Sequence, residues 1–524
     1  MKNFHKITIG LAAGCLMFLT PTGTAEMAFS DSGADTVYQQ TADYNIAVPL
    51  ITGVARREMP APDVNTKCWM EFGCISSMDK RFVASNKPLY RQLEEYNNEL
   101  RADADQRFAG FLTVIEDLRA RHNTVEQEFF YNNKIAVRRA DLRALSLLRT
   151  DSIYKGGARP MDTVQTTVFD TATGEKLQLS DVTNDIPMLL NRAKNSLYAG
   201  KNAMGIMYDD LEASFARLAQ KDPSELKWTL DYQGITFWFN PGEIAGEEFG
   251  VLAATVFFFG NESLFADNYR QVPSEYLWSF DNSTWCSFDD SAVIYRLEVG
   301  CVPGDGAWDK PFIAVGNQVY SYDQFECDSV KPMLFHSKTG TQLFLDLKAG
   351  DYHSLAGFAF RNDRPELLWV MDNTEPAHYG VALEHDFTEV LSRPDEMVLD
   401  TQINPLSTRK GRRKYAVTGE ERPQPVDSGA DYYEVIGTVR LTLKEALTVE
   451  MLDESDPAKS AVSTETLPAG TVLIVERTDN ESYVDARILS DGRYCRIKAE
   501  LTSWPQMVNG REAAYIFEGI SYSS

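Results

Sequence analysis

Residues able to catalyse hydrolysis are common in this chain, but their surroundings do not mark an active site. Paired carboxylates such as Asp209-Asp210 and Asp289-Asp290 could act as general acid and base on a glycosidic bond. Because the chain holds 76 Asp and Glu among 524 residues, such pairs are expected from composition, and we interpret both as solvated surface. A peptidoglycan hydrolase with an unrecognised carboxylate site is kept as the alternative function.

Two short motifs contain the residue types of penicillin-reactive serine enzymes. Ser224-Glu225-Leu226-Lys227 has the serine and lysine of one motif, and Lys338-Thr339-Gly340 follows it in the right order. The Ser-x-Asn element that belongs between them is missing, and Ser224 precedes a strand-like run instead of standing on a helix. The pattern therefore does not predict a nucleophilic serine.

Metal and cofactor chemistry is not indicated either. His378 and His385 are seven positions apart, and no two histidines have the close spacing of a metal-binding helix motif. The sequence contains no Cys-x-x-Cys, no glycine-rich phosphate loop and no nucleophile elbow. We predict no catalytic residue, no metal ligand and no cofactor, and hence a protein that is not an enzyme.

A recognition surface is better supported than a reaction. The run Ile153–Pro160 contains a Gly-Gly pair that lets the backbone adopt positive φ values, and a proline ends it. Aromatic residues crowd a hairpin that we place nearby, and such side chains beside a flexible turn suit recognition. The predicted ligand-binding residues are Tyr154, Gly156, Gly157, Arg159 and Trp238. For the aromatic residues, the alternative is a place in the core of the sheet.

Strands on both sides must position this turn. Ala144–Tyr154 and Thr163–Asp170 flank it, and Glu126–Arg139 precedes them, all rich in apolar residues of the strand type. From Pro88 onward, apolar residues recur every three or four positions, which predicts a helix of about nine turns. We predict an α+β domain over residues 35–270, in which a mostly antiparallel sheet is packed by this long helix. Further elements predicted are a strand at Glu175–Leu179, helices at Ile186–Tyr198 and Ala203–Ala219, a hairpin over Leu226–Asn240 and a strand at Val251–Phe259.

The rest of the chain has a different pattern. In residues 275–421, short apolar runs are cut by Asp, Asn and Gly, which predicts a β-rich domain without a clean repeat. Glu420–Gly429 contains two prolines and is predicted to be a linker. Residues 430–524 again contain short strands, the last of them at Ala514–Glu518, and hairpin-type turns separate several of them. There we predict a small bacterial SH3-like β-barrel.

The N-terminus has the pattern of an export signal. A charged start precedes the apolar run Ile7–Leu19, and Gly23 and Ala25 are small residues at the cleavage positions. We predict a signal peptide over residues 1–25, cleavage after Ala25 and an extracellular, periplasmic or cell-surface location. A lipoprotein signal ending at Cys15 is the alternative, which the apolar run disfavours because it continues past that cysteine. No other apolar run is long enough to span a bilayer, so no transmembrane segment is predicted in the mature chain.

Charge limits the classes of partner. The chain has 51 Lys and Arg against 76 Asp and Glu, a formal net charge of -25. Nucleic acid and anionic lipid bind to basic surfaces, so both are disfavoured as partners. A cationic partner would be attracted over long range. The alternative is that the acidic surface serves only to keep the protein soluble.

Six cysteines follow the predicted signal peptide, and in an exported chain they can form disulfides. Cys68 and Cys74 are close in sequence, and we predict that they bond to each other. The other four allow three pairings, among which the sequence does not choose; they are Cys286, Cys301, Cys327 and Cys495.

Five segments in the first half of the chain carry a family resemblance through their order and spacing. They are Leu93–Asn97, Ser146–Thr150, Gly156–Pro160, Phe169–Gly174 and Phe237–Ile244. Together they resemble an extracellular bacterial domain family of unassigned activity, over about Asp35 to Phe265. That family occurs in the outer part of membrane anti-sigma factors that bind lysozyme, and ahead of some peptidoglycan deacetylases. Its members often have His where Arg159 stands.

The resemblance implies a role outside the cell. It indicates an exported, non-enzymatic envelope protein that binds either a protein, such as a cationic lysozyme-like hydrolase, or cell-wall material. The oligomeric state is not predicted.

Overall fold

The computed structural model describes residues 52–58, 67–75, 87–121, 128–156, 159–204, 208, 210–280, 282–288, 295–304, 306, 308–337, 340–350, 352–371, 381–382, 397–426, 432–436, 440–453 and 460–522. All of them belong to one unit of the chain. They are mostly strand, arranged in several antiparallel sheets, with one long helix. None of the helices described in these ranges is long and apolar enough to cross a membrane. The predicted signal peptide and Cys15 lie outside the described residues.

The first sheet has five strands and one long crossover helix. In chain order the elements are β1 (Thr52–Glu58), β2 (Lys67–Ile75), α1 (Lys87–Arg121), β3 (Glu128–Ala140), β4 (Ala144–Tyr154) and β5 (Met161–Asp170). The sheet order follows the chain, and all pairs are antiparallel except β2 with β3. That pair is parallel because α1 carries the chain back to the other end of the sheet.

The predicted long helix is confirmed. One stripe of α1 is buried against the sheet, at Leu89, Leu93, Tyr96, Leu100, Ala104, Phe108, Phe111 and Ile115. These positions recur every three or four residues, so their side chains lie on one face. The helix begins just before Pro88, where a proline is tolerated because the first N–H groups have no partner within the helix.

Short helices and a three-stranded sheet follow. They are α2 (Leu179–Val182), α3 (Ile186–Met204), α4 (Leu211–Leu218), β6 (Trp228–Leu230), β7 (Gly234–Phe239), β8 (Leu252–Phe257) and α5 (Asp267–Arg270). The predicted strand Glu175–Leu179 is wrong: it contains one isolated bridge at Lys176, and helix α2 begins at Leu179. The predicted helix start at Ala203 is also wrong, because the Asp210 carboxylate accepts from the Ala213 N–H and caps α4 there.

Two antiparallel sheets make up the next part of the chain. Their strands are β9 (Tyr276–Ser279), β10 (Ser283–Cys286), β11 (Tyr295–Val302), β12 (Lys310–Val315), β13 (Gln318–Ser321), β14 (Ser329–Ser337), β15 (Gly340–Ala349), β16 (Tyr352–Arg361) and β17 (Arg364–Met371). One sheet has the order β10-β11-β12-β13 and the other β17-β16-β15-β14-β9. Buried side chains of both sheets, such as Leu297 and Leu345, share one core.

The remaining strands join a single extended sheet. They are β18 (Val381–Ala382), β19 (Met397–Ile403), β20 (Arg409–Ala416), β21 (Gln424–Pro425), β22 (Tyr433–Ile436), β23 (Arg440–Leu443), β24 (Leu447–Leu452), β25 (Ala461–Leu467), β26 (Val472–Thr478), β27 (Tyr483–Ile488), β28 (Tyr494–Glu500), β29 (Met507–Val508), β30 (Arg511–Glu512) and β31 (Phe517–Glu518). Helix α6 (Ala513–Ile516) occupies most of the predicted strand Ala514–Glu518, so that prediction is wrong.

This sheet continues across the predicted linker. Strand β20 pairs with β22, and β22 pairs with β26, so hydrogen bonding runs from the predicted second domain into the third. In the part of the chain that the structure describes, no sheet closes into a barrel. The three-domain division and the SH3-like module therefore stay predictions.

Candidate functional site

The predicted recognition turn connects two paired strands. Strand β4 ends at Tyr154, and β5 begins at Met161 with Ile153 as its partner. Gly156 has a φ of 83°, so the expected positive φ is present at the first glycine of the pair. The second one, Gly157, lies outside the described residues.

Arg159 fastens this turn to a neighbouring loop. Its guanidinium donates to the main-chain carbonyl oxygens of Glu247 at 2.8 Å and of Glu248 at 3.0 Å. Both glutamates lie in a short 3-10 turn between β7 and β8, and all three side chains are exposed. Because the planar guanidinium presents parallel donors, it can engage two adjacent carbonyls at once. Arg159 thus positions the turn, with part of its donor capacity used within the chain.

Tyr154 belongs to a row of three aromatic side chains on neighbouring strands. Trp69 and Phe130 pair in register between β2 and β3, and Phe130 and Tyr154 pair between β3 and β4. The ring centroids of Trp69 and Phe130 are 4.7 Å apart with planes 14° from parallel, and those of Phe130 and Tyr154 are 5.5 Å apart at 30°. These spacings are close to the ~4.8 Å between strands, so the rings stand side by side with their edges outward. We call these three residues the aromatic row.

The aromatic row stands on the face of the sheet that points away from α1. Side chains alternate between the two faces of a strand. The alternate positions of β2 and β3 pack against α1 and are Cys68, Met70, Phe129 and Tyr131. All three rings of the aromatic row are half-buried, which leaves apolar edges accessible on the opposite face.

The three-stranded sheet packs on this face through β6, and its β7–β8 loop reaches Arg159 in the turn. Asn240, just after β7, contacts β5: the Val164 N–H donates to Asn240 Oδ1 at 2.7 Å. Val164 pairs with Thr150, and Tyr154 stands four positions further along β4, about 13 Å away at ~3.3 Å per residue. Tyr154 therefore lies four positions along β4 from the contact at Val164, beside the turn.

Polar residues border the aromatic row. In the next register row, Asn132 pairs with Ser152 and Ser152 pairs with Asp162, whose side chain is exposed. On the other side, Trp69 Nε1 donates to Glu128 Oε1 at 3.1 Å. An apolar centre with a polar border is the anatomy of a protein–protein contact.

Trp238 has a different environment from the turn residues. Its Nε1 donates to Thr229 Oγ1 at 3.0 Å, and the Arg138 guanidinium carbon lies 5.5 Å from the centre of its ring. Arg138 is also 5.0 Å from the ring of Trp278, in β9. The structure thus places Trp238 at the junction between the first and later sheets. The other aromatic residues of this hairpin lie in the core, as the alternative interpretation held: Trp228, Tyr232, Phe237 and Phe239 are buried.

A buried polar network fastens α1 to the sheet. The Asp151 carboxylate accepts from Tyr131 Oη at 2.9 Å and from Arg149 Nη2 at 2.7 Å. Arg149 Nη2 also donates to the Asp103 carboxylate on α1 at 2.6 Å. Arg107 Nε, also on α1, donates to Asp103 at 3.1 Å. Desolvation by burial, with the charge of Asp151, raises the pKa of Tyr131 to about 12. Because both oxygens of Asp151 already accept hydrogen bonds, the network is suited to holding the helix in place rather than to proton transfer.

Residues considered for catalysis are not brought together. The Ser224 hydroxyl donates to Asp222 at 2.7 Å in an exposed turn, while Lys227 Nζ donates to Glu243 at 2.8 Å. Within the described ranges, no group of three or more His, Cys, Asp or Glu is arranged to hold a metal ion. The pair Asp289-Asp290 and Lys338-Thr339 lie outside those ranges, as does Asp209.

The predicted Cys68–Cys74 disulfide is wrong. Both residues belong to the continuous strand β2, six positions apart. A strand rises ~3.3 Å per residue, which separates their Cα atoms by about 20 Å, whereas a disulfide needs roughly 4.4–6.8 Å. Closeness in sequence indicated a tight loop, but this segment is fully extended.

Sequence reasoning missed Trp69 and Phe130 as members of the site. They are distant in the chain from each other and from Tyr154, and their alignment depends on the parallel pairing of β2 with β3. The one local signal was an aromatic residue at an alternating position in each strand-like run.

Comparison with known proteins gives structural neighbours only. No protein-family model and no curated protein matches the chain. A crystal structure of a DUF3298 family member from Bacteroides fragilis is 17% identical, with a TM-score of 0.29, and the match covers 42% of this chain and 96% of that one. A DUF3298 family protein from Pseudomonas aeruginosa PAO1 is 15% identical, with a TM-score of 0.30, and the match covers 43% and 97%. Matches at these TM-scores do not establish a shared fold, so the likeness to a bacterial domain family of unassigned activity stays a prediction. The anti-sigma, deacetylase and SH3-like associations stay predictions.

Proposed function

We propose that this chain is an exported binding protein of the bacterial envelope, and that its aromatic row and adjoining turn contact a basic, lysozyme-like wall hydrolase. The observation that carries the proposal is the aromatic row itself. Trp69, Phe130 and Tyr154 are half-buried on the face of the sheet that points away from α1, bordered by polar side chains. Aromatic residues in such a setting supply much of the binding energy of protein interfaces.

Preorganisation supports the same interpretation. The rings are held in register by the backbone of three paired strands, so little conformational entropy is lost when a partner covers them. Arg159 holds the adjoining turn against Glu247 and Glu248, which gives the surface a defined edge. A rigid apolar centre beside a fixed loop suits a partner with a complementary cleft.

Charge supports a cationic partner. The net charge of -25 creates a field that attracts a basic protein, and salt weakens it over a screening length of ~8 Å at physiological ionic strength. Asp162 and Glu128 place carboxylates at the border of the aromatic row. Association should therefore be faster and tighter at low salt.

The experiment is titration calorimetry of the full chain with a basic lysozyme as the probe, at low and physiological ionic strength. Tyr154→Ala should weaken binding by about tenfold or more, the loss typical of a central aromatic residue. Tyr352→Ala is the matched control, because Tyr352 is 58% exposed on β16, away from this sheet. Asp162→Arg tests the border and, as an exposed change, should leave the fold intact.

Several outcomes would overturn the proposal. Equal affinity for Tyr154→Ala, Asp162→Arg and the control would remove the aromatic row as the contact. No binding at low salt would remove the basic hydrolase as the partner. Release of soluble fragments from purified peptidoglycan by the chain alone would instead support a hydrolase.

We also propose that residues 430–524 form a bacterial SH3-like module that follows a β-rich domain over 275–421. The support is a buried core formed largely by strands β23–β28, which includes Leu441, Val475 and Ile497; Leu406 is its one buried member before residue 430. Limited proteolysis of the full chain should cut within 420–432 and release a resistant C-terminal fragment. Resistance of that segment to cleavage would argue for one continuous β domain.

A further inference from the structure

Two cysteines far apart in the chain meet in the four-stranded sheet region. The Sγ atoms of Cys301, on β11, and Cys327 are 2.9 Å apart, although the residues are 26 positions apart. A disulfide bond is ~2.05 Å long, so small rotations of the two side chains would suffice to form it. This pair is one of those that the sequence left open.

Cys327 lies in a segment that links the two sheets of this region. We call residues 322–328 the strap; it runs from the end of β13 to the start of β14. The Cys327 N–H donates to the Asp309 carbonyl at 3.0 Å, beside β12, and the Asp328 N–H donates to the Lys348 carbonyl on β15 at 2.7 Å. Main-chain hydrogen bonds therefore hold the C-terminal end of the strap, which keeps Cys327 close to Cys301.

The strap also forms one wall of a cavity of about 370 Å³. Phe325 and Glu326 contribute from the strap, and Leu347 and Ser354 contribute from β15 and β16. A bond that restrains Cys327 would therefore also restrain the strap residues that line this cavity.

We propose that Cys301 and Cys327 form a disulfide that ties the strap to β11 in the exported protein. The half-buried Cys301 is the attacking thiol, because Cys327 is fully buried. The Cys301 thiolate attacks a small-molecule or protein disulfide, forms a mixed disulfide and releases one thiol. The Cys327 thiolate then attacks the Cys301 sulfur and releases the second thiol. Two cysteine thiols lose two protons and two electrons, and the oxidising disulfide becomes two thiols.

The surroundings of the thiols agree with these roles. Hydrogen bonding to Cys327 lowers the pKa of the Cys301 thiol, and the same contact raises the pKa of Cys327. Cys286 and Cys495 are both fully buried, in separate hydrophobic cores, and burial raises the pKa of Cys495 to about 12. These two thiols therefore lie in different cores, and burial disfavours the reactive thiolate form of each.

The test begins with peptide mapping of the full exported chain without reduction. We expect one linked peptide pair containing Cys301 and Cys327, two hydrogen atoms lighter than the reduced pair. Thermal unfolding is then measured with and without reductant for the wild type, Cys301→Ser, Cys327→Ser and the double variant. Among these four proteins, reductant should lower the midpoint only of the wild type, by about 5–10 °C for a loop of this length. Cys286→Ala is the matched control and should keep the full reductant effect.

The design separates the bond from the packing of the thiols. Substitution of either cysteine can change stability, but only loss of the bond makes the wild type sensitive to reductant. Free thiols at both positions in protein exported under oxidising conditions would overturn the proposal. So would a link from either cysteine to another partner, or an equal reductant effect in the double variant.

Discussion

The Arg138 guanidinium donates two hydrogen bonds to the Asp231 carboxylate, from Nε to Oδ1 at 3.1 Å and from Nη2 to Oδ2 at 2.7 Å. Arg138 is on β3 and Asp231 follows β6, so this buried bidentate pair joins the five-stranded sheet to the three-stranded sheet. The rings of Trp238 and Trp278 lie within 5.5 Å of the guanidinium carbon, and Trp278 brings a third sheet to the same point. The pair therefore sets how three sheets meet.

Asp231→Ala should reduce the free energy of unfolding by about 3–5 kcal/mol, because it leaves the Arg138 charge buried without a partner. Urea unfolding followed by circular dichroism measures this loss. Glu99→Ala is the control: its partner Lys176 is 3.2 Å away, both side chains are well exposed, and such a pair contributes at most about 1 kcal/mol. A double variant Arg138→Met/Asp231→Leu should recover much of the loss. A loss under about 1 kcal/mol for Asp231→Ala would show that water solvates the pair.

Two glycines should respond in opposite directions to alanine. Gly110 is exposed on α1, and the space that an added methyl group would occupy is open, so Gly110→Ala should stabilise by about 0.5–1 kcal/mol through helix propensity. At Gly357 on β16 the methyl would overlap the Trp369 ring, so Gly357→Ala should destabilise by roughly 1–3 kcal/mol. Thermal unfolding midpoints of the two variants would show the opposite signs. Stabilisation by Gly357→Ala would mean that the Trp369 ring moves aside without cost.

The free energy of unfolding should fall at alkaline pH, partly because the Tyr131 hydroxyl ionises more readily in the unfolded chain. Burial raises its folded-state pKa to about 12, above the value near 10 of an unfolded chain. The contribution of Tyr131 to the free energy of unfolding is therefore complete below pH 10. It is lost as the pH rises towards 12, because the unfolded state releases the proton first. Tyr131→Phe should cost about 1 kcal/mol at neutral pH, through loss of the hydrogen bond to Asp151, and should flatten the alkaline fall. Urea unfolding at several pH values measures both effects, with the exposed Tyr352→Phe as control. An unchanged alkaline slope would contradict the assignment.

Arg159→Ala should loosen the recognition turn with little effect on global stability. The substitution removes two hydrogen bonds to the carbonyls of Glu247 and Glu248, but all three residues are exposed, so the loss should stay below about 1 kcal/mol. Hydrogen exchange should accelerate in residues 247–250 and at the ends of β4 and β5. Arg121→Ala, at the exposed end of α1, should leave exchange in these segments unchanged. Unaltered exchange in Arg159→Ala would mean that the turn is held by other contacts.

Features that depend on local physics could be read from the sequence. The stripe from Leu89 to Ile115 follows helical geometry, which depends only on residues three or four positions apart. The strands on both sides of the turn, and the positive φ of Gly156, likewise follow from alternation and from the freedom of glycine. The strand predicted at Glu175–Leu179 was wrong because a capping arrangement at Gln178 starts a helix that propensity alone does not predict.

Features that depend on pairing between distant segments were decided by the tertiary structure. Trp69 meets Phe130 only because α1 returns the chain to make β2 and β3 parallel, and no spacing in the sequence encodes that register. Arg138 and Asp231 are 93 positions apart, and Cys301 and Cys327 are 26 apart, so their encounters depend on how whole sheets pack. Conversely, Cys68 and Cys74 are near in sequence and distant in space, because an extended strand separates them. Sequence therefore determined the elements, since their physics is local, while packing of the sheets determined which side chains became neighbours.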